Sequence, residues 1–94
     1  MAYFEPSIFE PAKKFLAQLD PADRQKVGRI IDSILCYDPY IDGRTKIPIV
    51  FAPAVFTLYT DDECWIVYRL VRNVEIHIYN IGRPGQEPTW RATE

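Results

Sequence analysis

The sequence predicts an α+β domain in which a helical hairpin packs on a small, mostly antiparallel four-stranded sheet, in the order β-α-α-β-β-β. Three observations predict it. Val55 to Arg83 reads as three β-rich runs, broken at Asp61-Asp62-Glu63 and again at Arg72-Asn73, the second break having the two-residue spacing of a tight hairpin. Residues 8–36 repeat apolar side chains at helical spacing instead of alternating them. Asp20-Pro21 divides that helical region so tightly that its two halves have to run antiparallel.

Taken in order, Ala2-Tyr3-Phe4 is a short candidate strand. Ser7-Ile8-Phe9-Glu10 fits a capping box, with Pro11 tolerated in the first turn, which predicts a helix from about residue 8 to 19. Phe9, Ala12, Leu16 and Leu19 form its apolar stripe, Phe15 lies at the edge, and Lys13, Lys14 and Gln18 face water. Asp20 then caps a second helix, Pro21 suits its first position, and Asp23 suits the positive end of its dipole. That helix runs to about residue 36 on the stripe Val27, Ile30, Ile31, Ile34 and Leu35, and Asp38-Pro39 stops it. From Tyr37 to Pro53 the prolines and Gly43 favour turns and extended pieces, while Ile47, Ile49, Val50 and Phe51 supply apolar groups that can lead into a strand.

A chain of 94 residues has apolar side chains for one core, so residues 1–83 form a single domain and residues 84–94, with Pro84, Gly85 and Pro88, a tail. With no basic and apolar leader and no run of roughly 18 to 20 apolar residues, a soluble cytoplasmic protein is the expectation. Cys36 and Cys64 fall inside predicted elements and read as reduced packing residues. The single histidine, the distant cysteines and the lack of a glycine-rich phosphate loop argue against any metal or cofactor. A net charge of -2 and a pI near 5.3 have the wrong sign for a protein that merely coats phosphates. Arg44, Lys46, Arg69, Arg72, Arg83 and Arg91 nevertheless lie in the second half, either gathered on one face or spread over a solvated surface.

With a two-residue turn at Arg72-Asn73, Val71 opposes Val74, Arg69 opposes Ile76 and Val67 opposes Ile78, and this more apolar set faces the helices. Tyr68, Glu75, His77 and Tyr79 then share the open face, with Arg83 just beyond the last strand; a bulge would change the parity. Such a face has the parts for RNA cleavage by 2′-hydroxyl attack, which needs a base, an acid and a cation for the charge on the phosphoryl oxygens. His77 can be base or acid, Glu75 base and Arg83 the cation, with Tyr79 in the same catalytic set. Lys46, Tyr68, Trp65 and Trp90 are the candidate RNA contacts, the aromatic ones by stacking. The plainer alternative is a structural His–Tyr pair on the surface.

Ile34-Leu35 with Asp38-Pro39, then Cys64-Trp65-Ile66-Val67-Tyr68, then Ile78-Tyr79-Asn80-Ile81-Gly82-Arg83 follow a recognisable order and spacing. Over residues 2–83 the chain resembles the RelE/ParE superfamily of small bacterial toxins. The resemblance implies the toxin of a type II toxin-antitoxin pair and a ribosome-dependent mRNA endonuclease with Arg83 at its basic closing position. Two alternatives share the fold: a gyrase-inhibiting ParE-type toxin, and a non-toxic binding module. Trp65 stands where RNA-cleaving relatives usually carry arginine, and Phe56 and Leu58 where the best-known members carry lysines. The implied partners are a cognate antitoxin, with either the ribosome and mRNA or DNA gyrase, and a homodimer is compatible with the family. Tyr40, Ile41, Ile49, Val50 and Phe51 belong either to the antitoxin surface or to the core.

Overall fold

Extended backbone precedes the first helix for longer than the capping box predicts. The computed structural model describes residues 3–51 and 54–85, and within them strand β1 is Glu5–Ile8 and helix α1 is Glu10–Gln18. Ser7 is in the strand, and Phe9 precedes the helix with no side-chain cap. The last strand, β5 (Glu75–Gly82), explains this. Ser7 pairs with His77 and Ile8 with Ile78 in parallel register, and the Phe9 N–H donates to the Ile78 carbonyl at 2.9 Å. A sheet ladder satisfies successive backbone groups, whereas a cap satisfies one or two. Pro11 still sits within the first helical turn, where its missing N–H costs nothing. The strand expected at Ala2–Phe4 thus lies a few residues later, and Ala2 is outside the described residues.

Helix α2, Pro21–Ile30, starts as expected, with Asp20 Oδ1 accepting the Asp23 N–H at 2.9 Å. Arg24 binds the hairpin together, donating from Nε to the Leu16 carbonyl at 3.0 Å and from Nη2 to the Leu19 carbonyl at 2.9 Å. Both acceptors lie at the C-terminal end of α1, where the Leu16 carbonyl also takes the Leu19 N–H at 3.2 Å. After Ile30 the coil widens into a π turn, Ile31–Leu35, in which the Cys36 N–H reaches the Ile31 carbonyl at 2.9 Å. None of the described helices is long and apolar enough to cross a membrane.

The sheet has five strands instead of four. Strand β2 is Lys46–Phe51, β3 Ala54–Thr60 and β4 Trp65–Val71, and the spatial order is β1-β5-β4-β3-β2. Only β1 and β5 are parallel. The additional strand, β2, comes from the proline-containing segment, and Pro48 is compatible with it because β2 is an edge. Asp42 organises its entry: Oδ1 accepts the backbone N–H groups of Arg44, Thr45 and Lys46, and Oδ2 accepts the Thr45 hydroxyl. These donors, Arg44 foremost, hold the Asp42 carboxyl well below the usual carboxylate range. The Lys46 carbonyl in turn accepts from Asp42 and Gly43. The free side of β2 is therefore occupied within the chain at Lys46, and Pro48 offers no N–H at the next outward position.

The helices cover one face of the sheet. Ala12, Leu19, Val27, Ile31 and Leu35 bury against Tyr59, Ile66, Tyr68, Ile76, Ile78 and Ile81. A second cluster, Ile49, Leu58, Trp65 and Val67, with Ile47 and Phe56 against it, lies on the opposite face. That face carries the candidate site.

Candidate functional site on the open face

Two irregularities in β5 decide which side chains share this face. Arg72 and Asn73 adopt positive φ, and the Val74 N–H closes the turn on the Val71 carbonyl at 3.2 Å, as the hairpin spacing predicts. Val74 is nevertheless set out of the ladder. Its carbonyl accepts the Glu5 N–H at 3.0 Å, and Val71 opposes Glu75. From Tyr68 to Val71 the β4 register is thereby displaced by one residue from the expected one. Arg69, expected to face the helices, opposes His77 on the open face; Tyr68, expected on the open face, opposes Ile78 among the core residues. A second shift at Val67/Tyr68 leaves Tyr79 without a partner on β4, and Tyr79 shares the open face with His77 and Glu75 by the alternation of β5.

The side chains so assembled form an aromatic surface with an acid-base pair at one end. His77 Nε2 lies 2.9 Å from Glu75 Oε1, with both groups part-exposed. The Phe9 ring is 5.1 Å from the imidazole and 4.9 Å from the Tyr79 ring, and Phe56 meets Tyr79 edge-on at 5.2 Å. Arg69 holds its guanidinium 5.8 Å from the centre of the Phe56 ring. Phe9, Phe56 and Arg69 were not among the sequence candidates. Phe9 was drawn into the helical stripe, although its place just ahead of a proline-containing first turn is a signal that it precedes the helix. Arg69 was hidden by the parity of the hairpin.

The remaining candidates are dispersed. Tyr68 is fully buried on the helix side and donates its hydroxyl to the Pro39 carbonyl at 2.6 Å, so it is unavailable for stacking on a base. Its burial, together with the nearby Asp42 and Asp38, pushes the phenol well up. Lys46 is 6% exposed, and its Nζ lies 3.7 Å from Asp42 Oδ2. Trp65 is on the open face but only 4% exposed, within the apolar cluster, and its indole N–H finds no acceptor among the described residues. Arg83 lies at the opposite end of β5 from Glu75, a separation of roughly 25 Å along an extended strand of this length. There it stands 5.8 Å from the centre of the Phe15 ring and lines a cavity of ≈ 80 Å³ with Asp23, Lys26, Glu63 and Cys64. Trp90 lies outside the described residues. Of the antitoxin-surface candidates, Ile49 is core, Tyr40 and Ile41 are exposed, and the side chains of Val50 and Phe51 are outside what is described.

Among the described residues the open face thus brings together the hydrogen-bonded His77–Glu75 pair, the Phe9, Phe56 and Tyr79 rings and the Arg69 guanidinium, residue types suited to stacking an unpaired base beside a group that can exchange a proton. Among the described residues no three His, Cys, Asp or Glu side chains converge to hold a metal ion. Asp61 instead organises the β3–β4 turn, accepting the Tyr59 hydroxyl at 2.7 Å and the N–H groups of Glu63 and Cys64.

By sequence, no family model and no curated protein matches the chain. By structure, it is similar to a chain of the RelBE2 toxin-antitoxin complex from Mycobacterium tuberculosis, with 16% identity and a TM-score of 0.73 over 87% of this chain and 99% of that one. It is similar also to a chain of the archaeal RelE-RelB complex from Pyrococcus horikoshii, with 16% identity and a TM-score of 0.67 over 90% and 99% of the two chains. The isolated E. coli RelE toxin matches with 16% identity and a TM-score of 0.64 over 95% and 92%. At this level of identity the likeness establishes the fold, which is that of the RelE toxins.

Proposed function

We propose, taking the RelE toxin fold as the premise, that the chain is the toxin-like component of a type II toxin-antitoxin pair and acts on RNA through the open face of its sheet. The observation that carries this reading is the His77–Glu75 pair at 2.9 Å, set beside the Phe9 and Tyr79 rings. An unpaired base stacks on Phe9 or Tyr79, which brings the adjoining ribose and phosphate to the dyad. Glu75 takes the 2′-hydroxyl proton, the 2′-oxygen attacks the adjacent phosphorus, and the 5′-oxygen leaves with a proton given by His77. A 2′,3′-cyclic phosphate and a 5′-hydroxyl result. Arg69, across the strand from His77, is the cation nearest this chemistry, and its role is to balance charge on the phosphoryl oxygens. The Glu75-to-Arg83 separation argues against Arg83 serving the same phosphodiester. An antitoxin as the partner is part of the same proposal, supported by the similarity to RelE-RelB structures, and the ribosome as the site of action is its remaining part, which the translation assay below tests.

A second reading has its own observation. The positions where RNA-cleaving relatives carry cations hold Phe56, Leu58 and Trp65, and these are packed into an apolar cluster. A binding module that has kept the fold and lost the nuclease fits that packing.

Induced expression in a bacterial host, with pulse-labelling of protein and DNA synthesis, tests both. An early collapse of translation that His77→Ala and Arg69→Ala abolish and Arg83→Ala spares supports the open-face site. Toxicity that survives His77→Ala refutes it. Early loss of DNA synthesis indicates a gyrase-type toxin, and normal growth with soluble protein indicates the binding module.

A further inference from the structure

Two segments of this protein carry carboxylates and exposed aromatic residues without any basic side chain. Tyr3 to Ala12 contains Glu5 and Glu10 but no lysine or arginine, and Ile30 to Gly43 contains Asp32, Asp38 and Asp42 but again none. The fold joins these two segments. The Phe4 N–H donates to the Cys36 carbonyl at 2.8 Å, the Tyr3 hydroxyl donates to Asp32 Oδ1 at 2.8 Å, the Tyr3 and Tyr37 rings meet edge-on at 5.3 Å, and Tyr40 meets Phe4 at 6.0 Å. Tyr3, Tyr37, Tyr40 and Ile41 are 47%, 49%, 53% and 52% exposed. Glu5, Asp32 and Asp38 are exposed beside them. Of the other two carboxylates, Glu10 is exposed at the start of α1 and Asp42 is engaged by its own loop.

We infer that this aromatic and acidic surface docks a basic, amphipathic segment of a partner protein, its apolar side chains on Tyr3, Tyr37, Tyr40 and Ile41 and its lysines or arginines toward Glu5, Asp32 and Asp38. Large exposed tyrosines give contact area at small entropic cost and are over-represented among residues that dominate binding energy. The charge selects the occupant. A nucleic acid or an anionic membrane is repelled by the carboxylates, and a second copy docked through the same patch would set acidic rim against acidic rim. A partner strand added to β2 is disfavoured by Asp42 and Pro48, and the exposed tyrosines favour docking through side chains. The inference deepens the partner half of the proposed function and needs nothing from the open-face chemistry.

The test is a titration of the isotopically labelled full chain with a synthetic amphipathic helical peptide of leucine, lysine and arginine, followed by amide and aromatic NMR shifts. The same peptide with glutamate for every basic residue is the control. The expected result is saturable shifts at Tyr3, Tyr37, Tyr40 and Ile41 with the basic peptide only, weakened by salt. The double variant Tyr37→Ser/Tyr40→Ser is expected to weaken binding about tenfold or more, and Asp32→Asn/Asp38→Asn to remove most of the salt dependence, both with an unchanged fold. Equal binding of the acidic peptide, shifts centred on Phe9 and Tyr79, or no shifts at all would overturn the inference. A non-toxic chain that passes this test loses the nuclease reading and keeps the docking surface.

Discussion

The indole of Trp65 occupies the space that a side chain at position 82 would need. The two residues face each other across β4 and β5, and a methyl group added to Gly82 would overlap the six-membered part of the ring. Gly82→Ala therefore forces Trp65 out of a cluster in which it is almost wholly buried. The expected cost is about 2 kcal/mol, the scale of overpacking a well-filled core. Chemical denaturation checks this, and Trp65→Leu in the Gly82→Ala background should recover part of the loss while costing stability in the native background.

Tyr68 supplies a second local test. Its hydroxyl is the donor to the Pro39 carbonyl, deep under the loop that follows the π turn. Tyr68→Phe leaves that carbonyl without this donor and keeps the ring. The expected destabilisation is about 1 to 2 kcal/mol, measured by denaturant unfolding. Near-UV circular dichroism should otherwise retain native signals.

Asp42 makes stability depend on pH. Its carboxyl ionises at a lower pH in the folded chain than in the unfolded one, chiefly because the backbone N–H groups of Arg44 and Lys46 donate to it. Its contribution is complete above the unfolded carboxylate value, about 3.9, and is lost as pH falls through the folded value. The melting temperature of Asp42→Asn should accordingly lie below that of the native chain at neutral pH, with the gap closing only in strong acid. A gap that instead widened below about pH 4 would contradict the turn geometry.

The two thiols should be silent until the protein opens. Burial pushes the Cys64 thiol up to about 12 and raises that of Cys36 as well, and both side chains lie in the helix-side core. The reactive thiolate is scarce at each. A disulfide reagent at pH 8 should therefore label neither cysteine in the native chain and both in denaturant. Rapid native labelling of Cys64 would show that the cavity lined by Arg83 and Glu63 admits the reagent.

The sequence conveyed its long-range plan better than its local parity. The helical hairpin was legible because Asp20, Pro21 and the Val27 to Leu35 stripe all point the same way, and the three later strands because turn residues separate alternating runs. Strand β2 was obscured by Pro48, a residue that an edge strand accepts and a central one does not. The first helix was begun too early because Ser7 and Glu10 make a plausible box, but a parallel partner far along the chain claims the Ser7 backbone. The site was half visible. Glu75, His77 and Tyr79 were grouped from their alternation, whereas Tyr68 and Arg69 exchanged faces because Val74 leaves the ladder to serve Glu5. No local pattern encodes that choice, since the competing hydrogen bond comes from the other end of the chain.

The parallel pairing of β1 with β5 also sets when the protein can exist. Glu5 leaves the ribosome before its partner Glu75, so β1 and the Phe9 ring lack their support until β5 has been made. The His77–Glu75 pair, the aromatic surface and the register of the last hairpin come into being together once β5 is in place. A nascent chain that lacks β5 therefore lacks both the His77–Glu75 pair and the surface beside it.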